Sequence, residues 1–109
     1  MRNLLLILSV VLLSSTVWAA NPPQDLFEVE GNQVKKTSYY ENGEIKQVGF
    51  FLNNELDGQW VSYDKNGDIK TIAFYKNGKK DGVWIFVKAG EITNVVYKDN
   101  KIIEVKKLK

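Results

Sequence analysis

The sequence predicts an all-β fold: a single elongated antiparallel meander sheet of stacked β-hairpin repeats. Two observations predict it. The first is internal repetition. Asn42-Gly43-Glu44-Ile45-Lys46 recurs as Asn66-Gly67-Asp68-Ile69-Lys70, Phe50-Phe51 as Phe74-Tyr75, and Asp57-Gly58-Gln59-Trp60 as Asp81-Gly82-Val83-Trp84. Gly43 to Gly67 and Gly58 to Gly82 each span 24 positions, and a fixed period of this size marks a repeat architecture. The second is turn chemistry. Asn-Gly pairs at 42–43, 66–67 and 77–78 and Asp-Gly pairs at 57–58 and 81–82 punctuate runs rich in Ile, Val, Phe, Tyr, Trp and Thr. Asn-Gly and Asp-Gly accept positive φ, which suits two-residue hairpin turns, and the runs between them suit a pleated surface.

In chain order, Arg2 precedes an apolar run over residues 4–13, then Ser14-Ser15-Thr16-Val17-Trp18-Ala19. A charged start, a short apolar middle and small residues at the end predict a signal peptide over 1–19, cut near Ala19. Ala20–Asp25, with two prolines, reads as an extended leader. Residues 26–109 form the repeat domain, with copies at about 40–62, 63–86 and 87–105. Leu26–Glu30 alternates apolar and charged residues as a strand does, Gly31-Asn32 turns, and Val34–Tyr40 forms the next strand. From there each repeat supplies one hairpin, giving about seven or eight strands. The third copy keeps Gly90-Glu91-Ile92 and Tyr97 but lacks the Asp-Gly-x-Trp segment, as a closing cap would.

Simple alternation assigns Val48, Phe50, Ile72, Phe74, Val95 and Tyr97 to one face, and Ile45, Gly49, Phe51, Ile69, Ala73, Tyr75, Ile92 and Val96 to the other. Small Gly49 and Ala73 fall where large rings need room, so Trp60 and Trp84 are expected to lie over them. Both faces are apolar. A single sheet cannot bury both, so it must curl, self-associate or present one face to a partner.

Composition narrows the chemistry. After residue 19 the chain has no Cys, His, Arg or Met, and its 14 Lys stand against 13 Asp and Glu. No Ser-His-Asp or Cys-His nucleophile and no His- or Cys-based zinc site can be assembled from it. No phosphate-binding loop, dinucleotide fingerprint or calcium loop is present, so no enzyme activity, cofactor or metal is expected. Asp57 and Asp81 form a carboxylate pair on paper, but each opens an Asp-Gly turn, where Asp bonds to local backbone. The near-neutral charge argues against a nucleic-acid partner. The lysines at 98, 101, 106, 107 and 109 read as a solvated edge that discourages strand addition, or as a contact to an anionic surface.

The remaining candidates are the aromatics Tyr40, Trp60, Tyr63, Tyr75 and Trp84, which could line a groove for a peptide or glycan. Aromatics at strand spacing usually build core, and Trp60 and Trp84 fit that reading best. Tyr63 and Tyr75, at strand ends, fit either.

Tyr-x-x-Asn-Gly-x-x-Lys followed by aromatic-Lys-Asn-Gly-Lys-Lys-Asp-Gly-x-Trp resembles the variant MORN repeat of many bacterial exported proteins. The likeness covers about residues 31–100 and is closest at Tyr63–Trp84. It implies stacked hairpins and an interaction or scaffold role, and some proteins of this build carry an antitoxin label. The expectation is a non-catalytic exported module, periplasmic or extracellular, that binds another protein. The alternatives are a binder of envelope polysaccharide or surface, and an antitoxin-like component that neutralises a partner protein. Self-association through a sheet face or edge is a further expectation.

Overall fold

The computed structural model describes residues 23–108; the expected signal peptide and its cut near Ala19 lie outside them. The described chain is one open antiparallel sheet with no helix. Its strands are β1 (Leu26–Glu30), β2 (Gln33–Tyr39), β3 (Ile45–Leu52), β4 (Glu55–Leu56), β5 (Gly58–Tyr63), β6 (Ile69–Lys76), β7 (Lys79–Lys80), β8 (Gly82–Lys88), β9 (Glu91–Lys98) and β10 (Lys101–Leu108). They lie in the order β1-β2-β3-β5-β6-β8-β9-β10, with two-residue β4 on β3 and β7 on β6. Eight strands at about 4.8 Å spacing make a ribbon roughly 34 Å across.

The hairpin turns along one edge explain the connections. Asn53-Asn54, Asn77-Gly78 and Asp99-Asn100 each hold two successive positive φ values, between 49° and 79°, the conformation whose twist matches antiparallel strands. The first copy therefore needs no glycine there: Asn tolerates the left-handed region well enough to stand in. The turns also lock to one another. The Gly78 amide donates to the Leu56 carbonyl and the Asn100 amide to the Lys80 carbonyl, both at 2.9 Å.

The Asp-Gly-x-Trp motif has a local mechanism. Leu56 pairs with Phe51, but Val61 pairs with Val48, so residues 57–59 bulge away from β3. Gly58 turns this corner at φ 75° and Gly82 turns the equivalent one at 107°, where a residue with a Cβ would be strained. The Phe50 carbonyl accepts from the Asp57 amide at 3.0 Å and also from the Trp60 indole N–H at 3.0 Å. Phe74 repeats the pattern with Asp81 at 3.0 Å and Trp84 at 2.9 Å. The corner thus aims each indole back over the preceding strand, and the indole restores a ladder hydrogen bond.

Register assigns the faces, because directly paired residues project to the same side. One row runs Phe27, Lys36 and Gly49, then Trp60 and Ala73, then Trp84, Val95 and Val105. Carrying Val48↔Val61 and Ile72↔Ile85 one residue onward closes the row between its parts. Trp60, Ala73, Trp84 and Val95 form the buried core, with Phe51, Leu56, Tyr75, Phe86 and Tyr97 packed against it. This is the aromatic face. The other face carries the row Leu26, Thr37, Val48, Val61, Ile72, Ile85, Asn94 and Lys106. This is the aliphatic face.

Two face assignments made by simple alternation are corrected. Register shifts beside Ser38 and Ser62 leave Lys46 and Lys70 as bulged residues, so Ile45 pairs with Tyr39 and Ile69 with Tyr63 on the aliphatic face. Val95 and Tyr97 stand on the aromatic face, and Ile92 and Val96 on the aliphatic one. The third copy has no bulge in the β8–β9 ladder, so its register is one residue shorter, and a one-residue slip exchanges the faces.

Trp60 does lie over Gly49: a Cβ built there would come within 1.9 Å of the indole ring. Gly49→Ala is expected to lower stability by about 3 kcal/mol, at the upper end for overpacking. Ala73→Leu, beside both tryptophans, is expected to lower it by about 1–3 kcal/mol. Urea titration followed by tryptophan fluorescence checks both, and unchanged midpoints would refute the packing.

Candidate binding faces

The five aromatics singled out from sequence divide into two groups. Trp60, Tyr75 and Trp84 belong to a continuous spine of rings. Centroid separations are 5.3 Å for Phe51–Trp60, 6.3 Å for Trp60–Tyr75, 5.3 Å for Tyr75–Trp84 and 5.0 Å for Trp84–Tyr97. The first three contacts are edge-to-face, the arrangement the ring quadrupole favours. Lys80 closes the end of the spine, its Nζ 4.9 Å from the Trp84 ring and 5.1 Å from that of Tyr97, within cation–π range. The tryptophans are buried and their N–H groups engaged. They build the face; Tyr75 is half-buried between them.

Tyr40 and Tyr63 come together elsewhere, near the opposite ends of the strands. The Tyr40 hydroxyl donates to the Tyr63 carbonyl at 2.6 Å, bridging consecutive repeats. The Tyr40 ring has Lys46 Nζ 5.8 Å and Lys65 Nζ 6.0 Å from its centroid. A cleft of about 110 Å³ opens there, lined by Tyr40, Lys46, Gln47, Ser62, Tyr63 and Lys70. Both bulged lysines thus face one small polar hollow. The local anchor is Asp64, whose Oδ1 accepts from the amides of Asn66 at 2.9 Å and Asp68 at 3.0 Å.

Of the carboxylate pair, Asp57 has a structural occupation. Asp57 Oδ2 accepts from Gln33 Nε2 at 2.9 Å, a bond between neighbouring repeats rather than the local turn bond expected. Among the described residues no cluster of acids has the arrangement of a metal site.

Sequence reasoning did not single out the aliphatic face as a site. Val48, Val61, Ile72 and Ile85 are half-buried along its central row, flanked by Phe50, Phe74 and Val96. Val83, Ile45 and Ile69 stand exposed on it. Its signal in the sequence is the plain alternation of Val48, Ile72 and their neighbours, a weaker mark than the large aromatics of the opposite face. Asn94 occupies the aliphatic row where the other copies have Ile72 and Val48, and its Oδ1 is buried without a hydrogen-bond partner among the described residues.

Against this geometry, the family model of the MORN repeat variant matches the chain twice, at residues 33–53 and 56–77. This is a variant MORN-repeat protein. Each matched MORN segment covers one strand–turn–strand unit, β2 to β3 and β4 to β6, closing at the Asn53 and Asn77 turns. MORN repeats make a repeat module that is generally non-enzymatic. No curated protein matches the chain.

Burial, and secondarily the neighbouring Tyr97, raise the Tyr75 hydroxyl above its ordinary value of 10.0. The folded state thus disfavours the Tyr75 phenolate. Its contribution to stability is fully present below the unfolded tyrosine value of about 10 and is lost as pH rises through the folded value. Stability measured by urea between pH 9 and 11 is therefore expected to fall less steeply in Tyr75→Phe than in the native chain, about 10 being the onset. Equal slopes would refute the partial burial of the Tyr75 hydroxyl.

Asn94→Val should raise stability by about 1 kcal/mol, because it removes an unsatisfied buried oxygen and restores the aliphatic row. Thermal melting checks this, and a lowered midpoint would show that the amide serves the fold.

Proposed function

We propose that this MORN-repeat protein is an exported, non-catalytic interaction module whose aliphatic sheet face docks a partner protein. The observation that carries the reading is the unequal finish of the two faces. Over its middle strands the aromatic face covers itself: rings overlie rings, the indole N–H groups bond to the backbone, and Lys80 closes the end of the spine. The aliphatic face carries a flat apolar row with no second layer of the described chain upon it. A sheet face of roughly 34 Å by 20 Å approaches the ~800 Å² that each partner contributes to a stable protein interface. Exposed apolar side chains along such a face, here Ile45, Ile69 and Val83, mark an interaction site. The start of the sequence, charged then apolar then small, supports export.

The Tyr40–Tyr63 cleft supports a second reading, an envelope polysaccharide partner, because lysines and tyrosine rings around a polar hollow suit an acidic sugar.

A photo-crosslinking side chain at Val83, exposed on the aliphatic face, is expected to trap a discrete protein in the producing cell. The same group at Phe86, on the aromatic face, is expected not to. Adducts at Phe86 alone, or loss of peptidoglycan sedimentation in Tyr40→Ala with an unreactive Val83 probe, would transfer the assignment to the other readings. N-terminal sequencing of the recovered chain is expected to begin at Ala20, and an intact amino terminus in the cytosol would contradict export.

A further inference from the structure

The outer strands β1 and β10 are the two edges of the sheet, and among the described residues nothing pairs with the outer side of either. Their charges oppose each other. Asp25, Glu28 and Glu30 give the β1 edge three acids and no base, whereas β10 carries Lys101, Lys106 and Lys107 against the single acid Glu104. Lys36 and Lys35 of β2 reach Asp25 at 3.7 Å and Glu30 at 3.9 Å, long pairs between half-buried lysines and exposed acids that contribute little. Both edges also expose apolar side chains on the same, aromatic face: Phe27 at 59% and Val29 at 81% on β1, Ile102 at 58% and Val105 at 60% on β10.

Topology adds a third match. The main path holds eight strands, an even number, and neighbours alternate in direction. A second copy, displaced along the ribbon without being turned over, therefore meets β10 with its β1 antiparallel and with its aromatic face on the same side. Each repeat already meets the next in this way. Pairing like edges is worse, because β10 on β10 sets lysines against lysines and β1 on β1 sets acids against acids, and like charges across strands destabilise.

We propose that β10 of one copy pairs with β1 of the next, so that the sheet continues from molecule to molecule. The partner is a second copy of this chain, and the contact is head-to-tail. Such a contact does not close on itself and generates open chains rather than a dimer. Lysines on an edge also deter strand addition in general, but that alone explains neither the acids of β1 nor the matched apolar ridges.

The test is sedimentation velocity on the chain recovered from cells expressing the full-length sequence, across concentration and at low and high salt. The native chain is expected to show a concentration-dependent series extending beyond dimer, weakened by salt. Glu28→Lys with Glu30→Lys, or Lys106→Glu with Lys107→Glu, should each weaken association by about tenfold, given a few tenths to one kcal/mol per like-charge pair. Mixing these two variants should restore assembly, because each then offers the other a complementary edge. A chain carrying both swaps should assemble as the native one does, with circular dichroism confirming the sheet in all four. A monomer at every concentration, a series that stops at dimer, or a mixture no better than its parts would overturn the proposal.

Discussion

The constraint on which the sheet depends is the seat of Trp60 on Gly49. No side chain is admissible at that position, since the indole already occupies the space a Cβ would need. The same ring reaches the Phe50 carbonyl through its N–H and meets Phe51 and Tyr75 edge-on. One residue thus ties β3, β5 and β6 through packing, a hydrogen bond and ring contacts together. Trp84 repeats the arrangement one repeat later, with Ala73 in the row and Phe74 as acceptor. The described residues hold no disulfide and lay no second layer on the sheet, so this spine supplies the burial that an ordinary core would provide.

The two faces consequently have different fates. The spine and its flanking rings finish the middle of the aromatic face within the chain. The aliphatic face gains only the lateral contact of Val48, Val61, Ile72 and Ile85 with one another, and Asn94 leaves an oxygen unanswered at the end of that row. Repetition has a further consequence at the ends. Inner strands satisfy one another, whereas among the described residues the first and last strands each keep an unpaired side. In a ladder, what the chain leaves unfinished is its aliphatic face and its two edges.

Much of this was legible in the sequence, because each feature was written in local chemistry. The Asn77-Gly78 turn followed from its residue types, and the Trp-over-small-residue packing from the recurrence of Gly49 and Ala73 beside Trp60 and Trp84, whereas Asn42-Gly43 and Asn66-Gly67 sit in five-residue loops and Asp57-Gly58 and Asp81-Gly82 form corners rather than the two-residue hairpin turns expected. Two features were not. The bulges at Lys46 and Lys70 leave no distinctive residue type, since any side chain can occupy them, yet each reverses the face of Ile45 or Ile69. The unbulged third copy shortens the register by one, which moved Val95 and Tyr97 to the aromatic face. Alternation counts residues, and pairing decides which residues count. The Asp57–Gln33 bond was hidden for a related reason: its partners lie 24 positions apart and meet only once the repeats stack.

The candidate site was legible in composition and not in placement. Tyr40, Trp60, Tyr63, Tyr75 and Trp84 looked like one set, but strand position separates them into a spine and a distant polar hollow. The most direct examination of the central packing is a proton NMR measurement of the Gly49 Hα resonances. A ring seated on Gly49 shifts them strongly upfield and gives cross-relaxation to the Trp60 indole protons. Resonances at ordinary strand positions, without that cross-relaxation, would contradict the account.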